Sequence, residues 1–118
     1  MQEELRRAPR VRCYLPIRLY PQGEHRVIET LSKDLGLGGV SCLSPISLPM
    51  STPLTVEILL GQGEPPIHLQ SRVSWFTELS DGEQFQLGLS FDHVNEFEAR
   101  QLSLCITRFT SHLSPSTP

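Results

Sequence analysis

The chain of 118 residues has one lysine, two alanines, one tryptophan and no apolar stretch approaching the ~20 residues that a membrane-spanning helix needs. Met1-Gln-Glu-Glu4 is not followed by the hydrophobic segment of a secretory signal, so the expectation is a cytoplasmic protein that does not insert into a membrane. Cysteine is limited to Cys13, Cys42 and Cys105, with no CxxC and no Cys/His pair at ligand spacing. That excludes an ordinary zinc site and leaves reduced, buried thiols. The near absence of alanine argues against a helical bundle. The apolar set is instead 18 Leu, 6 Val, 6 Ile and 5 Phe, broken by ten Pro and eight Gly, which suits short strands joined by turns. Apolar residues make up 38% of the chain, enough for one modest core and a single domain over 1–118.

Catalytic patterns are missing as well. His25, His68, His93 and His112 are scattered, and none stands at a nucleophile or metal-ligand spacing. Asp92 and His93 are adjacent, which in a strand puts them on opposite faces. Asp34–Gly39 lacks the Gly-Lys-Ser/Thr ending of a P-loop and does not fit GxGxxG. No catalytic residue and no metal ligand is assigned, and the chain is not expected to be an enzyme.

Charge is distributed unevenly. Residues 1–18 hold five Arg and two Glu, whereas the remainder carries five basic and eleven acidic groups. A basic arm on an acidic body is not the broad basic face of a DNA-binding protein. It can grip a small anion or an acidic partner. Nine of the ten cations are Arg, whose planar fork matches phosphate and purine edges in a way that Lys does not.

Hydrophobic periodicity places the elements. Val11, Cys13, Leu15, Ile17 and Leu19 alternate with Arg12, Tyr14, Pro16, Arg18 and Tyr20, the period of a strand with one buried face. Pro16 has no amide to give, so it belongs at an edge or a bulge. His25 to Leu35 forms a second, less regular strand. Asp34-Leu-Gly-Leu-Gly-Gly39 follows, its glycines permitting positive φ and a close backbone approach. Alternation resumes at Val40 and Cys42, then at Leu54, Val56, Ile58 and Leu60, then at Ile67, Leu69, Val73 and Trp75, and last at Phe85, Leu87, Leu89 and Phe91. On this pattern Trp75 faces inward, and Tyr14, Tyr20 and Phe76 are the outward aromatics. Ser80-Asp-Gly-Glu83 marks a hairpin. Asn95 with Glu98 three residues later is a capping box, after which Phe97, Leu102, Cys105, Ile106 and Phe109 recur at helical spacing. The reading is mainly β: six antiparallel strands and a C-terminal α-helix that caps or flanks them. The divisions are a basic arm at 1–10, a barrel at 11–93, a helix at 95–111 and a tail at 112–118.

Two segments are left over. Arg6-Arg7-Ala8-Pro9-Arg10, alone, reads as a solvated leader, and Asp34–Gly39, alone, as a tight turn. Together, an Arg-x-x-x-Arg element (Arg6, Arg10) followed about 25 residues later by Asp-x-small-x-x-Gly (Asp34, Gly36, Gly39) resembles the PilZ family. The strands Arg72-Val-Ser-Trp75 and Leu87-Gly-Leu-Ser-Phe91 and the terminal helix extend that likeness across the chain. The resemblance implies a six-stranded antiparallel β-barrel (PilZ-like) with a C-terminal helix, many of whose members are receptors for the bacterial messenger cyclic di-GMP. It implies ligand contacts at Arg6, Arg7, Arg10, Asp34, Gly36, Gly38 and Gly39, no other cofactor, and a downstream protein in a motility, exopolysaccharide or regulatory system. Arg suits guanine O6/N7, phosphate or a base face, and Asp34 can accept from guanine N1–H and the exocyclic amine. The family pattern has Ser where this chain has Gly36, and a lost neutral hydrogen bond costs ~0.5–1.5 kcal/mol. The alternative is a degenerate PilZ adaptor that binds protein and not nucleotide. A third reading, an OB-like barrel for single-stranded nucleic acid, needs a basic, aromatic groove that the acidic body does not offer.

Overall fold

The structure is a computed structural model that describes residues 10–61, 63–80 and 82–113, with side chains as far as 109. Seven strand segments come first: β1 (Arg10–Arg12), β2 (Pro16–Pro21), β3 (Ile28–Gly36), β4 (Gly39–Ser44), β5 (Pro53–Ile58), β6 (Ile67–Glu78) and β7 (Phe85–Phe91). One helix, α1 (Glu96–Leu113), ends the described chain. All the pairings are antiparallel. β3 takes β1 and β2 on one edge and β4 on the other, and the circuit β3-β2-β5-β6-β7-β4 returns to β3. The architecture is therefore a closed six-stranded barrel, in which the first strand is broken into β1 and β2.

The break falls where proline forbids continuity. Pro16 opens β2, a position that needs no amide donor. Residues 13–15 remain tied to β3: the Cys13 amide donates to the Lys33 carbonyl, and Ser32 donates from its amide to Leu15 O, both at 2.9 Å. The Ser32 hydroxyl accepts from the Leu15 amide at 2.9 Å and donates to the Cys13 carbonyl. One buried serine thus satisfies the backbone groups that the broken ladder leaves over.

The interior is built from the alternating positions. Ile17, Leu19, Val40, Cys42, Leu54, Val56, Leu69, Val73, Leu87 and Leu89 are all buried. Trp75 departs from its expected place. A bulge between Val73 and Trp75 shifts the β6 register, so that Trp75 lies opposite Gly88 on the outer surface and is 39% exposed. An extra residue at a bulge turns every later side chain to the other face. Phe97 departs too: it is 63% exposed on the first turn of α1, while Leu102, Cys105 and Ile106 make the buried stripe. The helix packs against β1 and β3. Its start is closed reciprocally, Glu98 N–H donating to Asn95 Oδ1 at 2.8 Å and Asn95 N–H to Glu98 Oε1 at 3.1 Å. Such a cap is worth ~1 kcal/mol.

Candidate functional site

The outer surface of β1, β3, β4 and β7 gathers most of the residues picked out by motif. Register sets Arg10 opposite Gly36 and Arg12 opposite Asp34, so the end of the broken first strand lies directly beside the end of β3. The Arg10 guanidinium reaches back to Asp34, with Nη1 3.6 Å from Oδ1. It also passes over Gly39: a Cβ placed there would stand 3.5 Å from Arg10 Nη2 and would overlap the Leu89 carbonyl oxygen of β7. Gly39 is thus required by the closeness of β4 to β7. Gly38 and Gly39 do not adopt the left-handed conformation, which among the described residues falls at Gly23, Ser51, Gly61, Gly63 and Gly82. Gly38 sits in the turn with open space around its Cβ position, and its carbonyl accepts from the Phe91 amide at 2.9 Å. Arg6 and Arg7 lie outside the described residues. Arg10, Asp34, Gly36 and Gly39 therefore converge, and Gly38 borders them.

Two polar atoms here are unsatisfied. Among the described residues Asp34 Oδ1 and Ser41 Oγ are buried without a hydrogen-bond partner, and their residues are cross-strand partners. The 3.6 Å ion pair gives Asp34 Oδ1 a neighbouring charge without a hydrogen bond. An unpaired buried polar atom costs ~1–3 kcal/mol, so each of the two is stabilised by a hydrogen-bonding group brought to it.

The same row runs on around the barrel. Asp34 on β3 pairs with Ser41 on β4, Ser41 with Gly88 on β7, and Gly88 with Trp75 on β6. The Trp75 indole lies on Gly88 so closely that any Cβ there would collide with it. Gly88 is two strand spacings of ~4.8 Å from Asp34, so the aromatic ring lying over it is on the order of 10 Å from Asp34 along the surface. In the next row, Ser90 pairs with both Gly39 and Arg72, and Arg72 donates from Nε to Asp92 Oδ1 at 3.1 Å. Ser41 and Trp75 were missed by sequence reasoning. The available signal was Gly88 in the middle of an apolar strand, which marks close approach by another group.

A second polar cluster lies on another part of the wall. Glu57 on β5, 8% exposed, accepts from Tyr20 Oη at 2.9 Å and Arg18 Nη1 at 3.2 Å, with His68 Nε2 at 3.2 Å. The Tyr20 hydroxyl above all, with Arg18 and His68, holds the Glu57 carboxyl below the usual carboxylate range. The same bond raises the Tyr20 phenol. Every charge here has a partner, so the cluster reads as a clasp across β2, β5 and β6. No group of three or more His, Cys, Asp and Glu among the described residues could hold a metal ion.

Comparison with known proteins decides the family. A family model described as PilZ domain matches residues 4–108. The chain belongs to the PilZ domain family. Among solved structures it is similar to the PilZ domain of Escherichia coli YcgR with c-di-GMP, at 16% identity and TM-score 0.71, covering 95% of this chain and 98% of that one. It is similar to the crystal structure of E. coli YcgR in complex with c-di-GMP, at 20% identity and TM-score 0.77, covering 93% and 48%. It is also similar to the Bacillus subtilis inhibitor of motility MotI/DgrA, at 19% identity and TM-score 0.71, covering 89% and 51%. The chain thus spans about half the length of MotI/DgrA and of YcgR. No curated protein matches by sequence. At these identities the structural likeness establishes the PilZ fold.

Proposed function

We propose that this PilZ domain is a non-catalytic cyclic di-GMP receptor acting in the cytoplasm and signalling to a protein partner. The observation that carries the reading is the half-exposed Arg10 guanidinium, held between Asp34 and Gly39, beside a buried Asp34 oxygen with no hydrogen-bond partner. A guanine edge offers what that oxygen lacks, an N–H and an amine, while Arg10 pairs with a phosphate or with O6 and N7. Arg6, the first arginine of the family motif, completes the clamp with Arg10, and Arg7 is an accessory contact. Gly36, Gly38 and Gly39 keep the barrel surface flat beneath the nucleotide. The Trp75 ring, over Gly88 in the same row, supplies an aromatic platform on which a base stacks.

A ligand-bound member of the family, the PilZ domain of YcgR with c-di-GMP, supports the choice of nucleotide. MotI/DgrA, an inhibitor of motility, supports motility as one destination of the signal. No helix of the described residues is long and apolar enough to cross a membrane. Gly36, in the position where the family pattern has Ser, favours a second reading, that of a nucleotide-independent adaptor. Titration of cyclic di-GMP against the fluorescence of the single tryptophan separates the two. The receptor reading expects a saturable change that GTP does not produce, and a flat response up to millimolar nucleotide supports the adaptor.

A further inference from the structure

We propose that the outer face of β3 is a self-association surface, on which a second copy of this chain packs about a two-fold axis at Leu31. The circuit β3-β2-β5-β6-β7-β4 closes on itself and leaves those strands no free edge to extend. A second chain is therefore met by a face of the barrel.

Leu31 stands near the middle of a nine-residue strand and is nevertheless 53% exposed. A hollow lies on either side of it. One, of about 340 Å³, is walled by Leu31, Tyr14, Leu43 and Lys33 and is almost wholly apolar. The other, of about 370 Å³, is walled by Leu31, Pro16, Leu59 and Glu29. Pro16 is the cross-strand partner of Leu31, and both Pro16 and Tyr14 are exposed. Contiguous apolar side chains in water mark a contact surface. A knob between two holes on one patch is the shape of an isologous contact, in which the same surface serves both partners.

The charges select the occupant and its orientation. Glu29 and Lys33 stand two residues to either side of Leu31, each on the rim of a different hollow. At the rise of an extended strand each lies about 7 Å from the leucine along the chain. The face thus reads acid, leucine, base. A two-fold axis at Leu31 lays the leucines together and brings each Glu29 to the Lys33 of the other copy. Parallel packing sets Glu29 on Glu29 and Lys33 on Lys33, and like charges repel. Glu29 already has Arg18 beside it, with Nε 3.3 Å from Oε2, so the incoming lysine completes a network of three charges. Leu31, Tyr14 and Leu43 supply the apolar centre, and the charges form the rim that fixes register.

The first test is the mass of the full chain by sedimentation equilibrium from about 1 μM to about 1 mM. A monomer–dimer equilibrium is expected, and Leu31→Glu abolishes it while leaving the thermal melt in place, because the side chain is on the surface. Lys33→Glu and Glu29→Lys each weaken the dimer by at least about tenfold, and the double exchange restores it. The second test is carbodiimide coupling of a mixture of isotopically labelled and unlabelled chains. Lys33 is the one lysine of the chain. Within a single copy it is about 14 Å from Glu29 along the strand, too far for a direct amide. A Lys33–Glu29 amide that joins a labelled peptide to an unlabelled one therefore forms only across the interface. A monomer over the whole range, a dimer that survives Leu31→Glu, a dimer lost to Leu104→Glu on the exposed side of α1, or single charge variants that the double exchange does not rescue overturns the proposal.

Discussion

Arg10→Ala separates binding from folding, because Arg10 stands at the edge of the barrel with 45% of its side chain exposed. Its visible interaction in the ligand-free protein is the ion pair with Asp34, 3.6 Å long and open to solvent. Exposed pairs of this kind contribute ~0–1 kcal/mol. The substitution therefore lowers the melting temperature by less than about 5 °C. Its effect on the ligand is larger: a charge-assisted contact to phosphate or guanine is worth ~1.5–3 kcal/mol, a loss of affinity of about 10- to 150-fold. Asp34→Ala removes both an acceptor for guanine and the group that positions Arg10, so the double variant loses less than the sum of the single losses. Calorimetric affinities of the three variants, with thermal melts in parallel, provide the check. A folded Arg10→Ala protein with affinity within twofold of wild type refutes the assignment of Arg10.

Four other outcomes follow from the geometry. Gly36→Ser restores the hydroxyl of the family pattern opposite Arg10 and raises cyclic di-GMP affinity up to about tenfold, read by the same titration. Trp75→Ala removes the aromatic platform and weakens binding by ~1–3 kcal/mol; because the ring packs on Gly88 the melt falls as well, so affinity is read well below the transition. Gly39→Ala drives a Cβ into the Leu89 carbonyl oxygen, forces β4 from β7, and destabilises the fold by about 3 kcal/mol or more in denaturant unfolding. The lowered Glu57 carboxyl stabilises the folded state at pH above its unfolded value of about 4.3, and that contribution is lost as pH falls through its folded value. Melting temperature therefore drops on acidification below about pH 4.3, and Glu57→Gln flattens that part of the profile.

Where sequence reasoning and structure agree, the reason is physical. A two-residue period over Ile17–Leu19, Leu54–Ile58 and Leu87–Leu89 admits only one face to the core, so barrel strands and buried side chains were legible. The capping box at Asn95 announced the helix start for the same local reason. Trp75 was not legible, because one extra residue at the β6 bulge reverses the parity on which alternation depends. Phe97 sits at a helical spacing but in the first turn, before α1 reaches the barrel. Of the site, Arg10, Asp34 and Gly39 were visible as motif residues. Ser41 was not, since its role comes from cross-strand register with Asp34, a relation of the folded sheet alone.

Isothermal titration calorimetry of the wild-type chain with cyclic di-GMP, and with GTP as control, tests the central claim most directly. Saturable binding at micromolar or tighter affinity is expected, with no heat from GTP and a stoichiometry that tells one nucleotide from a stacked pair. No binding at ligand concentrations up to about 1 mM, corresponding to less than ~4 kcal/mol of affinity, contradicts it.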